Sequence, residues 1–361
     1  MLLDKRGVFF LRKISIKNLK GNEILAQDIM SEYDTLLMSK GIVLKKEYME
    51  RLEQLGITHL YVEDSYAEGI EEITEIKIKT QCQKEVQDTL DKFLSCGSSE
   101  LESIKNVAKE IILDLLEKPE IMFNVSGVRQ KAESAYSHSI NVAALSVFLA
   151  LQMKISKEKI REIAVGALLH DIGYTCVKTD VKEKKYIEFT ETERKEMKMH
   201  VVHGYTVMKD EKWLSNIAKD IIFRHHERMD GTGYPMHIKG DKQKIGEKIV
   251  AVCDAFDRKI YGIYADQMKV HEAMEYIVGN SGKLFDSQVV EVFNKSVAAY
   301  PNGTTVVTNQ GEEAVVYRQN KGMPTRPVLR MLKDANGKNY EDWVEMDLVK
   351  ELSLFIQDTL E

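Results

Sequence analysis

The sequence predicts a mainly α-helical protein, with a long helical middle region and a small module containing strands on each side. Three patterns support this prediction. Apolar residues recur every three to four positions across residues 121–298, which is the spacing of one face of a helix. Runs that alternate between apolar and polar residues lie before and after that region, at residues 13–16 and 314–317. Turn signals such as Asn336-Gly337 separate the later runs.

These patterns divide the 361-residue chain into four predicted segments. Residues 1–66 form a small α/β module, with strands at 13–16 and 57–62 and a helix over 48–55 that ends at Gly56. Residues 67–120 form a charged helical connector that is broken near residues 96–99. Residues 121–298 form an all-helical domain, and residues 299–361 form a small β module. A chain of this length has room for two or three domains with cores of their own.

Five helices are predicted in the helical domain, over residues 136–153, 157–172, 191–208, 217–226 and 245–260. Each of them carries a histidine or an aspartate on its apolar face, which we expect to point toward a shared core. These polar residues on apolar faces are His138, His170, Asp171, His200, His225, His226 and Asp254. Seven of the nine histidines in the chain fall between residues 138 and 237.

Burial of these side chains predicts a metal centre. An unpaired buried carboxylate costs several kcal/mol even after relaxation, and no arginine or lysine is expected in the same apolar stripes. Divalent cations would offset that cost. Imidazole and carboxylate together suit iron or manganese, and zinc is compatible with them as well.

The bulk composition excludes some classes of function. A net charge of −6 and a pI of about 5.9 argue against a protein that binds a nucleic-acid polymer. A small anionic ligand is compatible with this charge because a metal cluster supplies local positive charge. The four cysteines are scattered without a CxxC pair, which is typical of reduced cytosolic proteins. We find no stretch long enough for a membrane span and predict a cytoplasmic location.

The longest motif of the chain is His225-His226-Glu227, followed by Gly233-Tyr234-Pro235. With the other motifs it resembles the HD-GYP family of metal phosphohydrolases, a subgroup of the HD superfamily that cleaves cyclic di-GMP. The resemblance covers residues 132–298, about half of the chain. It also includes Ser137-His138-Ser139, the run Ala-Leu-Leu-His-Asp-Ile-Gly at 167–173, His200 with Gly204, and Asp254-Ala255-Phe256-Asp257.

The resemblance implies an all-helical catalytic domain with a binuclear, sometimes trinuclear, iron or manganese centre. The family's metal ligands fall on the seven polar residues named above, His138 to Asp254. Asp171 is the best candidate for a carboxylate that bridges two cations, and we predict that it acts in catalysis with His170. Two cations would hold a bridging hydroxide that attacks phosphorus. Asp257 and Glu227 are predicted to support the ligands from behind, and a solvated surface position is the alternative for Asp257.

Two positions and one segment depart from the family pattern. Tyr174 stands where the family often has lysine, and Ser134 stands where forms with three metals place glutamate, which favours two metals. Residues 258–266 lack the family's Thr-Ser and Arg-Pro-Tyr-Arg/Lys segment that holds substrate phosphates, which predicts weak activity and looser substrate choice. The predicted substrate contacts are Gly233, Tyr234, Pro235, Arg228, Arg258 and Lys259.

Taken with these departures, the resemblance implies a bacterial signalling hydrolase with two divalent metal ions per chain. We expect it to convert cyclic di-GMP, or a related cyclic dinucleotide, to a linear product. One alternative is that the same metal centre acts on another nucleotide phosphoester. Another is a catalytically weak signalling module that binds metal or nucleotide. A homodimer or a signalling protein as partner is left open by the sequence.

Overall fold

The computed structural model describes residues 11–30, 36–54, 57, 59–63, 103–117, 135–177 and 186–360. These residues belong to two compact units. The described part of the first unit comes from residues 11–63 and 297–360, and that of the second comes from residues 103–117 and 135–296. The four segments predicted from the sequence stay a prediction. Among the helices described here, none is long and apolar enough to cross a bilayer.

The N-terminal part of the first unit combines short strands with one helix. Strand β1 (Leu11–Ser15) pairs antiparallel with β4 (His59–Glu63), and β2 (Ile29–Met30) pairs antiparallel with β3 (Leu36–Met38). Helix α1 (Lys46–Gln54) lies between β3 and β4 in the chain. The predicted α/β character is therefore present within residues 11–63. Residues 1–10 and the predicted helix end at Gly56 lie outside the described residues.

The C-terminal part of the first unit is a five-stranded antiparallel sheet, as predicted for a small β module. Its spatial order is β8-β7-β6-β5-β9. The strands are β5 (Thr305–Thr308), β6 (Glu313–Arg318), β7 (Val328–Lys333), β8 (Glu345–Asp347) and β9 (Ile356–Thr359). Ala314 and Val316 on β6, and Leu329 and Met331 on β7, are fully buried in its core, because residues two apart on a strand share one face.

The second unit is helical, which confirms the prediction for the middle of the chain. Its described helices are α2 (Ile104–Glu117), α3 (Ala135–Gln152), α4 (Lys157–Leu169), α5 (Glu191–Lys198), α6 (His200–Met208), α7 (Asn216–Arg224), α8 (Ile245–Tyr261), α9 (Val270–Gly279) and α10 (Ser287–Ser296). Of the predicted connector, residues 103–117 are described, and the predicted break near residue 96 lies outside the described residues.

Helix α3 lies at the centre of this unit and packs against α4, α8 and α10. It can do so because nearly its whole surface is apolar, and Val142, Ala143 and Leu149 have no solvent exposure. A helix that is apolar all round is buried. The neighbours of α3 therefore have to supply the polar surface of the domain, and α3 contributes His138 to its interior.

The single helix predicted over residues 191–208 is wrong, because the structure has two helices that meet at Met199. Thr190 begins α5: its hydroxyl oxygen accepts from the Glu193 N–H at 3.2 Å, and Glu193 accepts from the Thr190 N–H at 2.7 Å. At Met199 the N–H donates to the carbonyls of Glu196 and Met197, which closes the last turn of α5. The break at Met199 places His200 at the first position of α6.

Gly173 lets the chain after α4 lie directly against α6. A Cβ atom at this position would lie 1.8 Å from the carbonyl oxygen of His200 and 2.5 Å from the backbone nitrogen of Gly204. Both atoms belong to the backbone and cannot turn away as a side chain would. The glycine therefore sets the distance between two stretches of backbone that carry candidate ligands.

We expect Gly173→Ala to lower the free energy of unfolding by about 3 kcal/mol, since overpacking costs typically 1–3 kcal/mol and the neighbouring atoms are backbone. Gly279→Ala is the matched control, because a Cβ there meets nothing within 4 Å. Urea unfolding of both variants measures the difference. Equal stability of the two variants would show that the backbone around residue 173 relaxes freely.

Glu247 is a buried carboxyl group in the first turn of α8. Its Oε2 accepts from the Lys244 N–H at 3.1 Å, and its Oε1 lies 3.5 Å from Nη1 of Arg224. Burial raises the pKa of Glu247 from its ordinary 4.5 to about 7. The folded protein therefore keeps this proton to a higher pH than the unfolded chain does. The resulting stabilisation is complete below pH 4.5 and is lost as the pH rises to about 7.

We expect Glu247→Gln, which cannot ionise, to remove this part of the pH dependence. Relative to the variant, the wild type should lose about 1–3 kcal/mol of stability between pH 5 and pH 8, since each pKa unit corresponds to about 1.4 kcal/mol. Urea unfolding at both pH values measures the loss. Glu275→Gln, at an exposed site of α9, is the control. If the wild type and Glu247→Gln depend on pH in parallel, Glu247 does not carry the effect.

Candidate metal centre

Seven side chains from five helical segments meet inside the second unit, in two groups that share Asp171. The His200 group consists of Asp171, His200, His225 and His226, and the His138 group consists of His138, His170, Asp171 and Asp254. Within each group, one potential ligand atom from every residue lies within 4.8 Å of the others. All are buried except His226, which is half-buried. The structure thus brings together every residue that the sequence predicts as a metal ligand, and their role as ligands is taken up below as a proposal.

Asp171 stands between the two groups. Its Oδ1 lies 3.3 Å from Nε2 of His200 and 3.5 Å from Nε2 of His225. Its Oδ2 lies 3.4 Å from Nε2 of His170 and 3.5 Å from Nε2 of His138. Each carboxylate oxygen therefore faces a different pair of imidazoles, which is the arrangement that a carboxylate bridging two cations requires.

Four of the five imidazoles are oriented through their Nδ1 atoms. A carbonyl or carboxylate oxygen can only accept, so each of these Nδ1 atoms donates its hydrogen and Nε2 faces the centre. The four hydrogen bonds run from His138 to Asp257 at 2.7 Å, from His170 to the Ala167 carbonyl at 2.6 Å, from His200 to the Met197 carbonyl at 2.7 Å, and from His225 to the Ile221 carbonyl at 3.0 Å.

Asp257 supports His138 from behind and is not a solvated acid. It is 5% exposed, and its Oδ2 accepts from Nδ1 of His138 while its Oδ1 accepts from Nδ2 of Asn141 at 3.0 Å. Asn141 is not among the residues predicted from the sequence. Its position three residues after His138 on the same helix face is the signal that could have indicated it.

Glu227 holds the loop that follows the paired histidines. Its two carboxylate oxygens accept from the Met236 N–H at 2.6 Å and from the Ile238 N–H at 3.2 Å. Gly233 permits a close approach in the same loop, since a Cβ there would lie 2.4 Å from the backbone nitrogen of Arg228. The hydrogen bonds of Glu227 therefore reach the loop backbone, whereas the prediction from the sequence is that Glu227 supports the ligands.

The loop places Tyr234 beside the centre. Its ring stacks on that of His226, with the centroids 4.8 Å apart and an angle of 28° between the planes, and a cis peptide bond joins it to Pro235. Lys198 lies above the same ring, with Nζ 5.5 Å from the centroid. Tyr234 thus shields one side of His226, and Lys198 places beside this ring a cation that is not among the predicted site residues.

Two of the cations predicted to contact substrate lie apart from the seven candidate metal ligands. Nζ of Lys259 lies 4.1 Å from the centroid of the Tyr276 ring, on α9. Arg228 is exposed. In the contacts that the structure describes, neither side chain reaches any of the seven candidate ligands.

Arg258 is the cation that does reach the centre, and it overturns the expectation that no arginine or lysine shares the apolar stripes. Its Nε lies 2.5 Å from Oδ1 of Asp254, and its Nη2 lies 3.1 and 3.0 Å from Oδ1 and Oδ2 of Asp171. Its side chain is 10% exposed. Residue 258 lies four positions after Asp254, so both project from one face of α8. That spacing is a signal present in the sequence.

Tyr174, at the position where the resemblance leads one to expect lysine, forms an aromatic wall with Tyr264. The Tyr174 ring stacks on His200, with the centroids 4.0 Å apart, and it lies 5.1 Å from the Tyr264 ring. The guanidinium of Arg258 is 5.8 Å from the first ring and 5.9 Å from the second. The Tyr174 hydroxyl oxygen also accepts from Nη1 of Arg258 at 3.3 Å.

Charge and burial act on the pKa values of the centre in opposite directions. Burial alone would raise the pKa values of Asp171 and Asp254, but the nearby Arg258 guanidinium holds both well below their usual range. Burial opposes the charged form of His170, yet attraction to Asp171 raises its pKa to about 10. Burial lowers the pKa of His225 to about 4. A cation that binds at His170 therefore has to displace a proton.

The donor set fits divalent transition metals. Five imidazoles and two carboxylates gather in two groups, each with ligand atoms within 4.8 Å of one another, and these are borderline and hard ligands of the kind that iron, manganese and zinc accept. The buried Nε2 of His226 has no hydrogen-bond partner among the described residues. A buried polar atom without a partner is costly, and a bound cation would satisfy it.

Comparisons with known proteins agree with this chemistry. Residues 118–289 match the HD domain, and residues 305–361 match the KOW domain associated with HD domains. The cyclic di-GMP phosphodiesterase PA4108 of Pseudomonas aeruginosa is 29% identical over 234 residues, which cover 64% of this chain and 56% of that protein. The cyclic di-GMP phosphodiesterase of Thermotoga maritima is 31% identical over 209 residues, covering 56% of each. The resemblance to HD-GYP proteins is thereby confirmed.

A solved structure shows the same fold. The HDG"Y"P protein Bd1817 from Bdellovibrio bacteriovorus aligns with a TM-score of 0.51 at 18% identity, covering 79% of this chain and 98% of that one. The matched regions span only 56% of the length of each of the two curated relatives. Together, the HD domain match and the buried histidine and aspartate cluster indicate that this region binds divalent metal.

We expect Asp257→Asn to weaken metal binding about 10- to 100-fold, the usual effect of losing a residue that orients a ligand. The amide cannot provide the same two acceptor oxygens to His138 and Asn141. Competition with a chelator measures the affinity. Asp210→Asn, at an exposed position, is the control. Unchanged affinity in Asp257→Asn would show that His138 keeps its orientation without the carboxylate.

Proposed function

We propose that this chain, whose residues 118–289 match the HD domain, is a metal-dependent phosphodiesterase that hydrolyses cyclic di-GMP or a related cyclic dinucleotide to a linear product. The observation that carries the proposal is the position of Asp171 between two sets of buried imidazoles. The names of the two curated relatives support the class of substrate.

We propose that the centre holds two divalent transition metal ions, iron or manganese, with zinc as a further option. The support is the division of the seven ligands into two groups with one shared carboxylate. When bound, such ions supply a water-derived nucleophile at neutral pH and offset the charge of the phosphate. The missing glutamate at position 134 favours two ions over three, and Ser134 and Glu133 lie outside the described residues.

The chain's own residues would hold and orient the reactants. The Nδ1 bonds fix four imidazoles so that Nε2 faces the centre. His170, whose pKa is raised to about 10, and Asp171 remain the proposed catalytic pair. The rings of Tyr174, Tyr234 and Tyr264 offer flat faces on which bases can stack. Gly233, Tyr234 and Pro235 form the loop at the proposed substrate site, and Lys198 lies above it.

One observation favours the alternative of a catalytically weak signalling module. Arg258 binds both carboxylates of the His138 group, so the protein supplies a positive charge of its own where a cation is proposed. The replacement of the family lysine by Tyr174 favours the other alternative, a nucleotide phosphoester other than cyclic di-GMP, because a phosphate-binding amine is absent at that position.

Asp171→Ala should abolish hydrolysis of cyclic di-GMP and lower the metal content more than His226→Ala does. A carboxylate shared by both groups serves two cations, whereas His226 serves one. Protein purified anaerobically from metal-supplemented medium is assayed by elemental analysis, and the linear product is followed by chromatography. We expect close to two metal ions per wild-type chain.

The same experiment separates the alternatives. A second cyclic dinucleotide and a generic phosphodiester are assayed beside cyclic di-GMP, and Asp171→Ala shows how much of the activity belongs to this centre. Metal-loaded wild type that hydrolyses other nucleotides but not cyclic di-GMP would favour the alternative substrate, another nucleotide phosphoester. Metal-loaded wild type without any hydrolysis would favour the signalling module. Equal metal retention in Asp171→Ala and His226→Ala would contradict the bridging role of Asp171.

A further inference from the structure

Arg258 makes different contacts with the two groups of candidate ligands. In the His138 group it binds both carboxylates, Asp171 and Asp254. In the His200 group it touches only the shared Asp171, and the other three members are imidazoles. The protein's own cation therefore engages both carboxylates of the His138 group but only the shared carboxylate of the His200 group.

The position of the guanidinium explains why it would compete with a metal ion. Its Nη2 is nearly equidistant from the two oxygens of Asp171, at 3.1 and 3.0 Å, and so stands directly in front of the carboxylate. Its Nε binds the Asp254 oxygen that also lies 3.0 Å from Nε2 of His138 and 3.5 Å from Nε2 of His170. Those two imidazoles and those two carboxylates are the complete His138 group.

We propose that Arg258 makes the two metal positions unequal. On this proposal the His200 group takes the first cation, and the His138 group takes a second cation only when the guanidinium leaves Asp171 and Asp254. The inference rests on the proposed function, since it assumes that both groups bind metal.

Electrostatics gives the reason for this order. A guanidinium and a divalent cation on the same two carboxylates would repel each other in a site from which water is largely excluded. Charge-assisted hydrogen bonds to carboxylates are among the stronger ones in proteins, so breaking those of Arg258 subtracts from the binding of the second ion. Among the described contacts Arg258 makes no hydrogen bond to the imidazoles His200, His225 and His226, and its one bond to the His200 group goes to the shared Asp171.

The aromatic wall of Tyr174 and Tyr264 can bind the Arg258 side chain after it leaves the carboxylates. Tyr174 and Tyr264 already lie 5.8 and 5.9 Å from the guanidinium, and planar guanidinium groups stack favourably on aromatic rings. A rotation of the side chain toward these rings would release both carboxylates while keeping the charge near the substrate site.

Calorimetric titration of metal-free protein with Mn²⁺ tests the proposal without any substrate. We expect two steps in the wild type, the second at least about tenfold weaker than the first. Arg258→Met, which keeps the length of the side chain but removes its charge, should tighten the second step about 10- to 100-fold and leave the first within a fewfold. Lys259→Met is the matched control, because Lys259 adjoins Arg258 on α8 but lies over Tyr276. A second step that is unchanged in Arg258→Met would overturn the proposal.

The order of binding has an independent test that leaves Arg258 in place. His225→Ala disables only the His200 group, and His138→Ala disables only the His138 group. The tight step should be lost in His225→Ala and kept in His138→Ala. The reverse result, or equal loss in both, would show that Arg258 does not set the order.

Failure of this inference can be told apart from failure of the proposed function. Unequal Mn²⁺ steps that become similar in Arg258→Met would support the inference even if no cyclic dinucleotide were hydrolysed. Hydrolysis of cyclic di-GMP by a protein with two equal Mn²⁺ sites would support the proposed function and overturn the inference. Absence of Mn²⁺ binding in the wild type and in every variant would overturn both.

Discussion

The negative charges of two buried carboxylates have to be balanced, and this requirement determines much of how the helices of the second unit pack. Asp171 and Asp254 are 8% and 2% exposed, and burial of that kind is tolerated only with positive charge nearby. The chain surrounds them with five imidazoles and with the guanidinium of Arg258. Helices α3, α4, α6, α7 and α8 each contribute to this cluster from one end or one face, so their packing and the chemistry of the site depend on the same contacts.

The glycine after the His-Asp pair connects this chemistry to the packing of the helices. Because no Cβ fits between Gly173 and the backbone of His200, the ligand pair at the end of α4 and the ligand at the start of α6 lie within a few ångströms of each other. The break at Met199 has a related effect, since the Met197 carbonyl at the end of α5 accepts the Nδ1–H of His200. Local backbone geometry, more than side-chain length, therefore sets the distances in the His200 group.

The sequence predicted the helical class, the C-terminal β module and the residues that converge, because apolar periodicity and motif spacing are local signals. It did not predict the helix break at Met199, since residues on both sides continue the same apolar stripe. It predicted Arg258 and Lys259 together as substrate contacts. One of them enters the centre and the other lies over Tyr276, a difference of about 100° around α8 that only the packed structure decides. For Asp257 the sequence left open whether it supports a ligand or lies solvated on the surface. Its burial against His138 favours support of the ligand.

The hydrogen bonds of the imidazoles differ in how far along the chain their partners lie. His170, His200 and His225 each bond to a carbonyl three or four residues earlier, so the short segment around each one already contains what orients its ring. His138 instead depends on Asp257, 119 residues later in the chain. During folding, three of the rings can take their orientation as soon as their own helix ends form. The fourth becomes fixed only when α8 docks on α3, so the completed centre depends on tertiary packing as well as on local helix formation.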